Sequence, residues 1–323
     1  ARSPPSRNFL SQGRKRTSMR SLLVVLPWLL AWPVVASQAE EACATHLVQR
    51  KAQARFAEAS STNKKKLGDG KIWDVFDFMG AVHHKSGIYL LHKIWFYLFQ
   101  GVLGAHDDDM GVIISPCYTM CQNTDAPIRW IVDMMSPELV ERERASAKAK
   151  GKGLRVAGLL RNPVTMAVSG YCYHVGGAEK LNVMFMPPGW PLVNVQTMPP
   201  ELGIPFVAER MLQYVKNMTD LYEQDGNAFL HYEKATSSSE AFDKEVKQFL
   251  DGLVGDIISN DEMEQALEAS TWADLHRHPE SAEGHTTDHE CMAKTQEAFA
   301  SVVQEDVLAE YRSLQKRLGY EVL

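Results

Sequence analysis

Cysteine is scarce and odd in number: Cys43, Cys117, Cys121, Cys172 and Cys291 are the five in a chain of 323 residues. That excludes a disulfide-dense scaffold, allows at most two intrachain bridges and leaves one thiol over. Cys117 and Cys121 are the expected pair, since a short loop after Pro116 can bring them together. No metal-finger spacing and no internal repeat occur. The chain also lacks a basic excess. It holds 34 Lys/Arg against 40 Asp/Glu, and six of the basic residues fall before residue 40, so the body has 28 basic against 40 acidic residues. Such a body argues against a general nucleic-acid binder, which needs a basic face to neutralise phosphates. A local anion pocket remains compatible with it. What is present, 45% hydrophobic, 23% charged and 9% aromatic residues, matches ordinary globular chains and excludes disordered and collagen-like classes.

The basic residues at the start have an arrangement. Arg14, Lys15, Arg16 and Arg20 precede the uncharged run Leu22–Val35, and Ala36-Ser37-Gln38-Ala39 follows. A basic segment, a short apolar segment and a small-residue exit make up a secretory signal, with Met19 its better first residue. A spanning helix needs about 20 apolar residues, and Pro27 and Pro33 oppose a straight helix here. The alternative is an uncleaved anchor with the rest of the chain on the lumenal side. Residues 1–39 are therefore read as leader, 40–70 as a polar helix and linker, and 71–323 as the functional domain. Asn217-Met218-Thr219 is a glycosylation sequon, relevant on the secretory route.

Within 71–323, Phe76–His83 reads as a strand, Leu90–Leu103 as an apolar helix, and Gly111–Ser115, Ile128–Met134 and Leu154–Leu160 as further strands. Ser136 before Pro137 caps one helix, and Arg161-Asn162-Pro163 leads into another, Val164–His174. Strands alternating with helices predict an α/β fold, a parallel sheet with helices on both faces. The second half is more helical. Met211, Leu212, Val215, Met218 and Leu221 share one face, as do Phe299, Val303, Val307, Tyr311, Leu314 and Leu318, with Gly319 as the stop. The proline-rich stretch 186–205 reads as loop.

Two segments carry chemistry. His83-His84-Lys85-Ser86-Gly87-Ile88-Tyr89 lies after a strand and opens a helix. There glycine permits a tight turn, backbone N–H groups and the helix N-terminus face an anion, and lysine adds a point charge. It is not the nucleotide-triphosphate loop, whose G-x-x-x-x-G-K-[ST] pattern is absent. In the second segment Arg161 ends a buried strand and Ser169 follows inside the next helix. A planar guanidinium and a hydroxyl can there converge on one anion.

Together these segments resemble the sulfotransferase family. His84-Lys85-Ser86-Gly87 is similar to its phosphosulfate loop, and Arg161-Asn162-Pro163 through Ser169-Gly170-Tyr171-Cys172-Tyr173-His174 to its second phosphate motif. Leu230-His231-Tyr232-Glu233 and the helix Phe242–Leu250 extend the resemblance, which covers about residues 75–323. It implies a P-loop-like sulfotransferase fold with a more helical C-terminal part. It also implies 3′-phosphoadenosine 5′-phosphosulfate as co-substrate, and a carbohydrate or other small hydroxylated acceptor, or an amine. No nucleic-acid partner and no metal are expected, and membrane contact only through the leader. With that leader, the implied location is the Golgi lumen or the medium. Lys85 and the backbone of Ser86, Gly87, Ile88 and Tyr89 would hold the 5′ phosphosulfate, and Arg161 and Ser169 the 3′ phosphate. Ile88 and Tyr89 depart from the family, which usually has threonine at the first position and often at the second.

A base must take the acceptor's proton. Asp133, at the end of the third strand, is the first candidate and His106 the second, with His174 read as either base or core. His276, His278, His285, His289 and Cys291 match no standard zinc pattern. Two alternatives stand beside the transferase reading: a weak or inactive relative that binds the nucleotide, and a nucleotide kinase.

Overall fold

Short parallel strands that are mostly apolar bury both faces when helices cover them on two sides. That is the arrangement seen in a computed structural model, which describes residues 70–114, 121–176, 192–282 and 288–323. The strands are β1 (Phe76–Val82), β2 (Met110–Ile114), β3 (Ile128–Val132), β4 (Gly153–Leu160) and β5 (Asn227–His231). They pair in the order β2-β3-β1-β4-β5, every pairing parallel. All of β3 and all but the first residue of β1 are buried. The expected parallel sheet is therefore present, and β5 adds an edge strand that its sequence did not announce. Parallel strands place all C-terminal ends on one edge, where ligands of such sheets bind.

One face packs on α1 (Ile88–Phe96), where Phe78, Val82, Ile128 and Trp130 meet Leu91, Ile94 and Trp95. The helix read as Leu90–Leu103 is α-helical only to Phe96 and continues as a wider π turn, Tyr97–Val102. On the other face α2 (Pro137–Ala149) buries Val140 against Met79, Ala81 and Ile131. Ser136 caps it as expected, accepting from the Leu139 N–H at 3.3 Å. A second core joins α3 (Pro163–Val175) to α4 (Pro200–Tyr222), α7 (His289–Val302) and α8 (Glu305–Arg317). Between them in sequence lie α5 (Ser239–Val254) and α6 (Asn260–Ser270), which belong to the α1 side.

Two expectations are corrected. The stretch 186–205 is not all loop, since Leu192–Thr197 is helical and α4 begins at Pro200 with Pro205 inside it. An interior proline costs about 3 kcal/mol, and burying Ile204, Val207, Ala208 and Met211 at roughly 1.5–3 kcal/mol per large side chain exceeds that. The C-terminal apolar face is two helices rather than one, because Val303 is extended (φ −78°, ψ 137°). Its residues still enter one core, and Gly319 (φ 73°) ends the second helix as expected. The sequon lies inside α4, and its Thr219 is fully buried with the hydroxyl donating to the Val215 carbonyl at 2.8 Å.

Cys172 of α3 is bonded to Cys291 of α7 across 119 residues. Cys121 is also in a disulfide, but Cys117 lies outside the described residues, as do the leader and the 40–69 segment. No helix among the described residues is long and apolar enough to cross a membrane.

Candidate functional site

The turn His83–Gly87 leaves the C-terminal end of the central strand β1. Its backbone closes on itself: the Ser86 N–H donates to the His83 carbonyl at 2.9 Å, and the His83 N–H to the Ser86 hydroxyl at 3.2 Å. Lys85 (φ 61°) and Gly87 (φ 118°) both have positive φ. Alternating backbone handedness curls successive amides toward one side, the geometry of an anion nest. Gly87 is the residue before α1, whose first-turn amides have no carbonyl partner within the helix. A Cβ on Gly87 would stand 2.6 Å from the Tyr232 ring, so space as well as φ requires glycine. Ile88 packs partly into the α1 core, and Tyr89 is exposed. Neither supplies the aliphatic hydroxyl that the resemblance led one to expect.

Arg161 follows β4, the neighbour of β1, and its guanidinium reaches back to the turn. Nη1 donates to the Lys85 carbonyl at 2.6 Å, and the group lies 4.5 Å over the Tyr232 ring. The side chain is 9% exposed, and its Nε is buried without a hydrogen-bond partner. Burial lowers its pKa, opposed by Tyr232, Glu233 and Tyr320, but a guanidinium stays charged. Thus a tyrosine from the segment after β5 supports both Arg161 and the glycine of the turn.

The N-terminus of α3 is locked beside it. Asn162 caps the helix, accepting from the Val164 and Thr165 N–H groups at 3.0 and 3.4 Å. Glu233 accepts from the Asn162 N–H at 2.8 Å and from the Thr165 hydroxyl at 3.2 Å, while its other oxygen accepts from the Tyr320 hydroxyl at 2.8 Å. Ser169 sits further along α3, fully buried. Beyond it, Tyr173 and His174 come back to the turn: the Lys85 ammonium stands 3.9 Å from the Tyr173 ring centre, and His84 stacks on His174.

Asp133 lies just after β3, with φ 62°, a conformation aspartate tolerates better than most residues. Its N–H donates to the Val82 carbonyl at 2.9 Å, and its carboxylate accepts from the His84 N–H. Burial pushes its carboxyl up to about 7, the backbone donor opposing only in part. A group with that pKa exchanges protons near neutrality, as a general base must. His106 does not join it. It is exposed and precedes β2, at the opposite end of a sheet roughly 16 Å across at five residues per strand.

The C-terminal histidines have other partners. His278 stacks on Trp272 at 4.1 Å, the His276 ring lies 3.0 Å from the Thr236 carbonyl, and Cys291 is in its disulfide. His285 lies outside the described residues, and among those described no three His, Cys, Asp or Glu side chains are grouped to hold a metal.

Sequence reasoning missed Tyr232, Tyr173 and Glu233 as supports, and the pairing of His84 with His174. All five residues stand in the segments that carried the resemblance. Only proximity shows their roles.

No protein-family model matches this chain, and no curated protein matches it. Among solved structures, mouse sulfotransferase SULT7A1 complexed with PAP is similar at 14% identity and TM-score 0.39, over 78% of this chain and 89% of that one. A structure from the PezAT chromosomal toxin–antitoxin system of the human pathogen Streptococcus pneumoniae is similar at 12% identity and TM-score 0.30, over 72% and 96%. Both likenesses are distant.

Proposed function

We propose that this protein transfers a sulfuryl group from 3′-phosphoadenosine 5′-phosphosulfate to a hydroxyl, or an amine, of a carbohydrate or other small acceptor. The observation that carries this reading is the hydrogen bond from Arg161 to the Lys85 carbonyl. It joins the two segments with phosphate chemistry at one end of the sheet, as a ligand with two separated anionic groups requires. Lys85, the Ser86 hydroxyl and the amides from Gly87 to Tyr89 hold the phosphosulfate, the Ser86 amide being taken by the His83 carbonyl, and Arg161 with Ser169 holds the 3′ phosphate. On this reading the protein travels the secretory route, to the Golgi lumen or the medium, or to a lumenal membrane face if the leader stays uncleaved.

The transfer resembles phosphoryl transfer, in which positioning and charge stabilisation do most of the work. The acceptor oxygen bonds to sulfur while the bond from sulfur to the bridging oxygen breaks, and the nucleotide leaves with that electron pair. Lys85 meets the charge growing on the bridging oxygen. The acceptor's proton passes to the Asp133 carboxylate, whose burial makes it basic enough to take it.

A second reading, a nucleotide-binding relative without turnover, is favoured by Ile88 and Tyr89, which remove hydroxyl donors worth about 1.5–3 kcal/mol each toward a charged group. One experiment separates the two. Calorimetric binding of 3′-phosphoadenosine 5′-phosphate is measured for wild type, Lys85→Ala and Arg161→Ala, together with sulfate transfer to an acceptor panel. Arg161→Ala is expected to weaken nucleotide binding by about 2–5 kcal/mol and to erase the preference for the 3′-phosphorylated form. Lys85→Ala is expected to lower turnover far more than product binding. Binding with no transfer to any acceptor would favour the second reading, and tighter binding of ATP would favour a kinase.

A further inference from the structure

Two imidazoles face each other beside the lysine of the turn. The Nε2 atoms of His84 and His174 are 3.1 Å apart, and the rings stack with centres 5.0 Å apart. In the neutral pair one proton lies between these two nitrogens, donated by one ring and accepted by the other. One proton beyond those of the neutral pair makes it an imidazolium–imidazole couple, a cation on the same turn as Lys85. The surrounding groups decide whether that proton is held. Lys85 lies on the same turn, Tyr173 is edge-on to His84 from α3, and Asp133 accepts from the His84 N–H at the end of β3. Arg161 brings a further positive charge to the Lys85 carbonyl. His83, the preceding residue, is buried against Tyr214 of α4 and held down to about 4, so it stays neutral. With no anion present, burial, His174 and Lys85 all oppose protonation of His84. An anion in the nest reverses the field from Lys85 and Arg161.

We propose that His84, with the His174 ring against it, is a proton-coupled ligand of the anion bound at the turn, its imidazole taking up a proton from water as the anion enters and releasing it as the anion leaves. This rests on the reading that the turn holds the phosphosulfate end of the nucleotide. It deepens that reading by making donor affinity depend on the pH of the compartment.

Asp133 is the competing titration, because an anion nearby also raises its pKa and draws in a proton. Ionised in large part only above about 7, it contributes most near neutrality and little at pH 6. The nucleotide's own phosphate, with a second pKa near 6, titrates in every variant alike. The test is therefore a difference. Binding of 3′-phosphoadenosine 5′-phosphate is measured at pH 6 and pH 8 in buffers of different ionisation enthalpy, for wild type, His84→Gln, His174→Gln and Asp133→Asn. Wild type and Asp133→Asn are expected to take up more protons at pH 6 than either histidine variant, by up to about one per nucleotide, so that their affinity falls up to about tenfold more per unit rise of pH. His84 is only partly buried, so His84→Gln keeps the test open should His174→Gln fail to fold. Equal uptake by wild type and the His84→Gln protein overturns the inference, while nucleotide binding itself leaves the functional reading in place. No nucleotide binding by wild type at either pH overturns both.

Discussion

Replacing Gly87 by alanine tests the turn through two costs that can be separated. The first is conformational. At φ 118° an L-residue is strained by about 1–2 kcal/mol, partly offset by the 0.4–1 kcal/mol that alanine gains by restricting the unfolded chain. The second is steric. The new Cβ would stand 2.6 and 3.0 Å from two Tyr232 ring atoms and 3.3 Å from a Leu159 methyl. Tyr232 cannot retreat freely, because the Arg161 guanidinium lies 4.5 Å over its ring. Overpacking of this kind costs about 1–3 kcal/mol. Gly87→Ala is therefore expected to lose about 1–5 kcal/mol in urea unfolding. Gly104→Ala, at φ 69° with nothing within 4 Å of its Cβ, is expected to lose at most about 1–2 kcal/mol. Adding Tyr232→Ala to Gly87→Ala should recover the steric part, seen as a coupling energy in the double-mutant cycle. If Gly87→Ala costs no more than Gly104→Ala, or the cycle shows no coupling, Tyr232 does not shape the turn as argued.

The Asp133 carboxyl has a folded pKa of about 7, above its unfolded value of roughly 3.9, so the folded state binds the extra proton between those limits. Its ionisation then erodes stability as pH rises from about 4 to 7, and Asp133→Asn should gain on wild type across that window and hold the gain above it. Unfolding midpoints from pH 4 to 8 check this, and a constant difference between the two proteins would refute the buried-carboxyl account. Under the proposed transfer reaction, kcat/KM should rise through about pH 7 and lose that limb in Asp133→Asn. The Cys172–Cys291 bridge closes a loop of more than 100 residues, so the Cys172→Ser/Cys291→Ser pair should lose about 2–5 kcal/mol. Chemical denaturation reads this, and a loss below 1 kcal/mol would show that the packing of α3 on α7 holds without the bond.

Local chemistry made much of this protein legible in its residues. Mostly apolar strands alternating with helix-length segments already implied a parallel sheet covered on both faces. Ser136-Pro137 and Asn162-Pro163 marked two helix starts, since a short polar cap and a proline suit the first turn of a helix and few other places. Lys85, Gly87 and Arg161 stood out as a phosphate turn and a strand-end cation because their residue types at those junctions have a direct electrostatic use. Distance was not legible. Asp133 and His106 both looked like bases, and only the direction of the strands puts one beside His84 and the other at the far end of the sheet. Cys172 and Cys291 lie 119 residues apart, and Tyr232 and Glu233 about 70 beyond the Arg161 motif, so no local pattern could pair them. Their meeting depends on β5 adding beside β4 and on α7 packing against α3. Those are global contacts whose loop-closure cost is repaid only by the whole core. The environment of each group followed from the same packing. Asp133 titrates near neutrality because folding removes its water, and the two histidine rings meet because α3 lies across the turn.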